Sequence, residues 1–189
     1  MSPPDDDPDR SDGRSPGDDG RDDGHAPSDD GRDAGSEAAI TPERDRLLLD
    51  AMLGGLASYL RICGYDAAYA LDRGIEDDGA LRTLAAEEGR RLLTRDRDLA
   101  ARTPGAVRLT EPEVVDRLRE LREAGVRLEP ADRPSRCGAC NGPVERIGPG
   151  DDRPGYAPDE GPLWRCLDCG QAFWKGSHWD DVAETLASL

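Results

Sequence analysis

Four of the five cysteines stand in two Cys-x-x-Cys pairs, a spacing that is typical of metal sites. The pairs are Cys137–Cys140 and Cys166–Cys169, and a glycine follows closely after each pair. A redox site needs only one reactive pair at the start of a helix, whereas two pairs on turns supply four thiolates. Four thiolates close a tetrahedral zinc site. We therefore expect a structural Zn²⁺ bound by all four in a zinc ribbon, and we expect Cys63, on an apolar helix face, to be a buried small hydrophobic residue.

A second set of residues with metal-binding chemistry consists of aspartates near the ends of predicted strands. Asp50 follows a run of three leucines, and Asp96 and Asp98 follow Leu92-Leu93-Thr94. Asp78 opens a predicted helix on the same rim. Ligands of open parallel sheets bind beyond the carboxyl ends of the strands. Carboxylate oxygens suit Mg²⁺ or Mn²⁺, and such an ion can activate water for attack on a phosphate.

Helix capping is the alternative interpretation of these acids, because the chain is rich in aspartate. Capping is sufficient to explain Asp78, and Asp77 is placed as well as Asp78 to begin that helix. It explains Asp50 and Asp96 less well, since each follows buried aliphatic residues at a strand end. We expect the remaining acids of this region to be solvated: Asp66, Asp72, Glu76 and Asp77.

The elements that position these acids form a strand–helix–strand–helix–strand pattern. The spacing predicts strands near 47–49, 67–70 and 91–94, a short strand at 106–109, and helices over 53–63, from 77 or 78 to 89, and from 111. This order is typical of a small α/β fold with a parallel central sheet. A proline-containing linker over 129–136 leads to the cysteine-rich segment, and a short closing helix is predicted to begin at Ser177 or Asp180.

The chain divides into three predicted parts: an acidic tail over 1–43, an α/β domain over 44–130 and a zinc ribbon over 134–189. Residues 1–40 contain 13 acidic side chains against 4 arginines, so this segment is expected to be disordered. The whole chain has 189 residues and a net charge of -16. Such a charge disfavours non-specific binding of polyanions.

The sequence also argues against a membrane protein. The longest aliphatic run is Leu47–Leu49, far too short to span a bilayer, and the first residues lack the basic and apolar regions of a secretory signal. Paired cysteines without such a signal indicate a reducing compartment. We therefore expect a cytoplasmic protein without a membrane partner.

The segment from Phe173 to Trp179 contains three aromatic residues beside Lys175 and His178. Exposed aromatic rings next to cations could stack on nucleic-acid bases. The alternative, which we favour, is that Trp174 and Trp179 fill the core of a ribbon that has little other apolar material.

In order along the chain, these motifs resemble a known nuclease family. The similar segments are LDAMLGGLASYLRICGYD (49–66), the helix that Asp78 opens, LLTRDRDL (92–99), RCGACNGP (136–143), CLDCG (166–170) and WKGSHW (174–179). The chain resembles the RNase domain named for the C-terminal part of the nematode Mut-seven protein.

The resemblance implies a small PIN-like three-layer nuclease domain followed by a zinc ribbon. It also implies hydrolysis of RNA with Mg²⁺ or Mn²⁺, and by motif position it makes four acids the metal ligands and catalytic residues: Asp50, Asp78, Asp96 and Asp98.

Two other functions are compatible with the residues. One is a non-catalytic nucleic-acid-binding or protein-adaptor module, in which the ribbon binds and the acids hold metal without turnover. The other is a Toprim-like phosphotransfer domain, because Asp96-Arg97-Asp98 is an Asp-x-Asp motif at a strand end. That fold would need a glutamate after the first strand, where this chain has Asp50.

Overall fold

Four parallel strands form the central sheet of the protein, in the spatial order β2-β1-β3-β4. The computed structural model describes residues 39–148 and 150–189. Leu47, Leu48 and Leu49 of the central strand are fully buried, as expected of a strand covered on both faces. The predicted α/β fold with a parallel sheet is confirmed. The strands are β1 (Arg46–Leu49), β2 (Asp66–Tyr69), β3 (Arg90–Thr94) and β4 (Val107–Arg108).

Helices cover both faces of this sheet. Leu47 and Leu49 point into one core with helices α1, α4 and α5, whereas Leu48 points into a second core with α2 and α3. The alternation follows from the two-residue period of a strand. The helices are α1 (Gly54–Ile62), α2 (Asp78–Glu87), α3 (Arg97–Ala101), α4 (Val114–Glu123) and α5 (Ser177–Ala187). Short 3₁₀ turns over Ala51–Leu53 and Leu71–Arg73 follow the first two strands.

The cysteine pairs lie on turns beside the strands of a second, antiparallel sheet, as expected of a zinc ribbon. Its strands are β5 (Val144–Arg146), β6 (Trp164–Cys166) and β7 (Ala172–Phe173), with β6 in the middle. The closing helix α5 begins at Ser177, and its Val182 and Leu186 pack into the same core as α1. The ribbon segment therefore contributes to the core of the α/β domain.

The folded part of the chain begins before the expected boundary at residue 43. Most of the predicted tail, 1–38, lies outside the described residues. Ile40, however, is buried and pairs with Val126 as a parallel bridge. The hydroxyl of buried Tyr65 donates to the carbonyl of Ile40 at 2.7 Å. Ile40 is therefore part of the core and not of a tail. No helix among the described residues is long and apolar enough to cross a membrane.

Candidate active site and metal centre

The carboxyl ends of β1 and β3 bring Asp50 and Asp96 to one edge of the sheet. The two strands are neighbours, with Leu49 opposite Leu93. Asp50 follows β1 directly, and Asp96 stands two residues after the end of β3. Asp50 is half-buried, whereas Asp96 is exposed to solvent. Two of the predicted site residues are therefore brought together by strand pairing.

A hydroxyl group links these two acids. Thr94, the last residue of β3, is fully buried. Its Oγ1 donates to Oδ2 of Asp50 at 2.6 Å and accepts a hydrogen bond from the amide of Asp96 at 3.0 Å. Sequence reasoning assigned no role to Thr94. The available signal was a polar residue at the end of a buried strand, directly before the Asp96-Arg97-Asp98 motif.

Both acids also cap short helical turns, as the alternative interpretation anticipated. Oδ1 of Asp50 accepts from the amide of Ala51 at 2.5 Å, and Oδ1 of Asp96 accepts from the amide of Leu99 at 2.6 Å. One oxygen of Asp96 remains without a hydrogen bond in the described part of the chain. Capping and metal binding are compatible here, because a carboxylate has more lone pairs than its cap uses.

Two further acids lie in the first turns of helices that begin at this edge. Asp77 caps α2, since its Oδ1 accepts from the amide of Ala80 at 2.8 Å. Asp78 is therefore the first helical residue and not the cap. It is exposed, as is Asp98 in the first turn of α3. Neither of these two carboxylates has a hydrogen bond within residues 39–148 or 150–189, so capping does not account for them.

The four acids do not converge on one point. Among the described residues, only the cysteines form a group of three or more potential ligands within 4.8 Å of one another. Mg²⁺ is commonly held by one or two carboxylates with water in its other positions. The carboxylate oxygens of Asp50 and Asp96 are donors of the chemical type that such an ion takes.

The four cysteines of the ribbon form a closed tetrad. The Sγ atoms of Cys137 and Cys169 lie 3.7 Å apart, and those of Cys140 and Cys166 lie 3.5 Å apart. Tetrahedral zinc with Zn–S bonds of about 2.3 Å separates its sulfurs by about 3.8 Å. The predicted cysteines are therefore positioned to bind one metal ion, and the donor set fits Zn²⁺.

Backbone geometry shapes each cysteine pair as a tight turn. The amide of Cys140 donates to Sγ of Cys137 at 3.4 Å, and Cys169 donates to Cys166 in the same way at 3.5 Å. The residue after each pair has a left-handed backbone conformation: Asn141 with φ 66° and Gly170 with φ 74°. These residue types tolerate that conformation.

The thiols of the tetrad differ in acidity. Burial raises the pKa of the Cys137 thiol to about 12. Burial also acts to raise the pKa of Cys166, but the backbone amides of Cys169 and Asp168 lower it to about 7. Cys63, outside the tetrad, is buried and its pKa is raised to about 12 by burial, which agrees with its prediction as a core residue.

We call the carboxyl edge of the sheet with Asp50, Asp78, Asp96 and Asp98 the acid edge. The sequence model of one family covers both the acid edge and the cysteine tetrad. The model is described as the Mut7-C RNAse domain and matches residues 45–186. The chain belongs to the Mut7-C RNAse domain family. Searches of the curated proteins and of the solved structures found no match. The predicted resemblance is thereby confirmed, and the matched range places the ribbon within the Mut7-C RNAse domain.

The first cysteine turn of this Mut7-C RNAse domain docks on the edge strand β2. The side chain of Asn141 donates to Oδ1 of Asp66 at 2.7 Å and accepts from the amide of Ala67 at 2.9 Å. Arg61 of α1 donates to the carbonyl of Ala67 at 3.0 Å and to that of Gly138 at 2.9 Å. The metal centre and the sheet therefore share a hydrogen-bond network.

The prediction that Asp66 is solvated was wrong. Its side chain is buried, and its Oδ1 accepts from Arg90 at 2.7 Å, while Arg46 and Arg136 lie at 3.1 and 3.4 Å from Oδ2. Burial alone would raise the pKa of Asp66, but the hydrogen bonds of Arg90 and Asn141 lower it well below its usual range. The sequence pattern could not reveal this, because the partners come from three separate segments of the chain.

The aromatic residues of the last ribbon segment are half-buried. Trp174 packs on the ribbon core with Ile147 and Leu163, and Trp179 packs on the core under α1. Trp174 therefore packs on the ribbon core, as we favoured, whereas Trp179 packs on the core of the α/β domain and not on that of the ribbon. His178 and Lys175 are exposed beside them, and the Lys175 ammonium lies 4.8 Å from the centre of the Trp179 ring.

Proposed function

We propose that this Mut7-C RNAse domain protein is a divalent-metal-dependent ribonuclease with a PIN-like site. Its family is a ribonuclease family, and RNA is the substrate that we assign to it. The ligands of Mg²⁺ or Mn²⁺ are the four acids at the carboxyl edge: Asp50, Asp78, Asp96 and Asp98. The observation that supports this proposal most strongly is the hydrogen-bonded series Asp50–Thr94–Asp96.

The residues of this edge have separate tasks in the proposed reaction. A bound divalent ion would activate water and neutralise charge on the attacked phosphate. Thr94 holds the side chain of Asp50 and the backbone at Asp96, so that these two acids need less reorganisation to bind an ion. Asp78 and Asp98 extend from helix N-termini, where a negative side chain is stabilised. These two are free to contact water or the ion.

Zinc has a structural task in this proposal. The tetrad offers four thiolates, and a four-coordinate site leaves no position for substrate or water. The Zn²⁺ held by Cys137, Cys140, Cys166 and Cys169 would therefore stabilise the ribbon and take no part in hydrolysis.

Cleavage of labelled single-stranded RNA tests the function. The zinc-loaded protein, dialysed free of other divalent ions, should cleave RNA only after Mg²⁺ or Mn²⁺ is added. Asp96→Asn and Asp50→Asn should lose about a hundredfold or more, because several kcal/mol of charge stabilisation disappear. Asp98→Asn should be severely impaired, and Asp78→Asn several-fold slower. Mg²⁺ should raise the melting temperature of the wild type but hardly that of Asp96→Asn.

Glu87→Gln is the matched control for Asp78→Asn. Glu87 is an exposed acid at the opposite end of the same helix, away from the carboxyl edge of the sheet. The Glu87→Gln variant should cleave RNA at the wild-type rate. Cleavage by Asp96→Asn at the wild-type rate would refute the proposal, and binding of RNA without turnover by the wild type would favour an adaptor.

A further inference from the structure

A cavity of about 490 Å³ lies between the ribbon and the α/β domain, separate from the acid edge. One wall is α1, through Ser58 and Ile62, and the opposite wall is the end of the ribbon from Gln171 to Trp179. The first cysteine turn contributes Gly138 and Ala139. The volume is that of a small-molecule or nucleotide site.

Aromatic rings form much of the wall of this cavity. Phe173, Trp174 and Trp179 line it and are only half-buried, so parts of their rings remain accessible. Exposed His178 stands at the same wall. Bases of single-stranded nucleic acids stack on such side chains, whatever the sequence. The packing of both tryptophans against the cores fixes the rings in place, which lowers the entropic cost of stacking.

The charge around the cavity is opposite to that of the chain. Arg136 lines it, and a second cavity that shares Pro134 is lined by Lys175, Arg133 and Arg146. Asp132 is the one carboxylate among the lining residues of these two cavities. The whole chain has 41 acidic and 25 basic residues. Arg136 is shared with the Asp66 carboxylate. The other three cations against Asp132 still form a local positive patch on an acidic protein, which is complementary to a phosphate backbone.

We infer that this cavity binds single-stranded RNA, with a base against the tryptophan wall and phosphates on Arg133 and Lys175. The choice of RNA rests on the proposed nuclease function. Aromatic walls favour an unpaired base over a simple anion, and the cationic rim favours a nucleotide over an apolar ligand. The ribbon would hold one part of the strand while the acid edge acts on another.

Binding is measured on the full-length, zinc-loaded wild type without added Mg²⁺ or Mn²⁺. Fluorescein-labelled single-stranded RNA should bind with a steep salt dependence and should quench tryptophan fluorescence. Arg133→Gln and Lys175→Gln should each weaken binding several-fold and lower the salt slope by about one. Arg82→Gln, which removes one exposed charge on α2, is the matched control and should bind normally.

A substitution that removes no charge tests the tryptophan wall. A Cβ at Gly176 would lie 2.7 Å from Nε1 of Trp174, so Gly176→Ala must displace that ring. The backbone at Gly176 has φ -130°, which alanine adopts without strain. Gly176→Ala should weaken RNA binding about fivefold or more while the fold is retained, and exposed His178→Ala should weaken it to a smaller extent.

Three results would overturn the inference. One is wild-type affinity in folded Gly176→Ala, Arg133→Gln and Lys175→Gln. Another is equal binding of a duplex RNA of the same sequence, whose paired bases cannot enter the cavity. The third is equal competition by a polyglutamate peptide. Failure of the nuclease proposal is distinguishable: the wild type would then not hydrolyse RNA, although these cavity variants would still lose RNA affinity.

Discussion

The arrangement of the acid edge depends on Thr94 as much as on the acids themselves. Its buried hydroxyl donates to Asp50 and accepts from the amide of Asp96, so it determines how two carboxylates are presented. The same bonds affect what Asp→Asn variants do to the fold. Asp96→Asn keeps an oxygen that accepts from the amide of Leu99. Asp50→Asn instead places an NH₂ group beside the Thr94 hydroxyl, which already accepts a hydrogen bond from the amide of Asp96. We therefore expect Asp96→Asn to be neutral for stability and Asp50→Asn to be slightly destabilising.

Thr94→Val tests the role of this hydroxyl. The variant keeps the shape of the side chain but leaves Oδ2 of Asp50 and the amide of Asp96 without their partner. We expect a loss of about 1–2 kcal/mol in the free energy of unfolding and a clear loss of RNA cleavage. Thr94→Ser retains the hydroxyl and should recover most of the cleavage rate, measured under the same conditions. If Thr94→Val cleaves as well as Thr94→Ser, the hydroxyl does not organise the site.

Asp66 should make the stability of the protein depend on acid pH. Its folded pKa lies below the ordinary value of 3.8, so its contribution is present above that value and is lost as the pH falls through the folded pKa. Asp66→Asn removes one of the two carboxylates that buried Arg90 contacts, the other being Glu88. The variant loses a charge-assisted buried hydrogen bond and should cost about 2 kcal/mol at pH 7. Urea unfolding from pH 7 to pH 2 should show less acid destabilisation in the variant than in the wild type.

The control for Asp66→Asn is Asp116→Asn. Asp116 also pairs with an arginine, Arg119, but both side chains are exposed on α4. An exposed pair contributes little, so this variant should lose less than about 1 kcal/mol. Equal losses in the two variants would show that burial of the Asp66 pair has no energetic importance.

Spacing along the chain predicted the residues whose chemistry is local, and it failed where partners are distant. The cysteine tetrad was predictable because two turns of fixed geometry must present their thiols together. Asp50 and Asp96 were predictable because adjacent parallel strands end at one edge. Asp66 was not, since its partners Arg90 and Asn141 reach it only through the tertiary fold.

The first cysteine turn packs against the outer edge of the parallel sheet. Asn141 and Arg61 satisfy the amide and the carbonyl of Ala67. The sequence predicted each of these elements by its period and its glycine or aspartate boundaries. It did not predict their docking, because side-chain hydrogen bonds between a turn and a strand leave no periodic pattern.

Asn141→Gly separates this docking from the shape of the turn. Glycine adopts the left-handed conformation at position 141 without strain, but it removes both hydrogen bonds to β2. We expect full zinc occupancy and a loss of about 1–2 kcal/mol in the free energy of unfolding. Metal content is measured by mass spectrometry of the native protein and stability by urea unfolding.

The second cysteine turn provides the control for that variant. Gly170 has the equivalent left-handed conformation, and nothing lies within 4 Å of a Cβ placed there. Gly170→Asn should therefore be close to neutral. If Asn141→Gly is as stable as the wild type, the turn docks through its shape alone.

Zinc binding and the fold of the α/β domain should stabilise each other. Helix α5 follows the ribbon and packs Val182 and Leu186 beside α1, while the cysteine turn contacts β2. We expect one equivalent of Zn²⁺ per chain, and its removal should lower the melting temperature of the α/β domain as well as unfold the ribbon. Calorimetry before and after chelation measures this, and added Zn²⁺ should restore the original transition. An unchanged transition of the metal-free protein would contradict the coupling.

The covered edge of β2 also bears on how this protein behaves at high concentration. A sheet edge with free amides and carbonyls is a template on which a second chain can add a strand. The opposite edge, β4, has only two residues and offers little for such pairing. Asn141 of the ribbon and Arg61 of α1 occupy the outward amide and carbonyl of Ala67 on the longer edge, which hinders the addition of a strand there. Aggregation detected by light scattering should therefore begin when zinc is lost, at temperatures at which the parallel sheet is still folded.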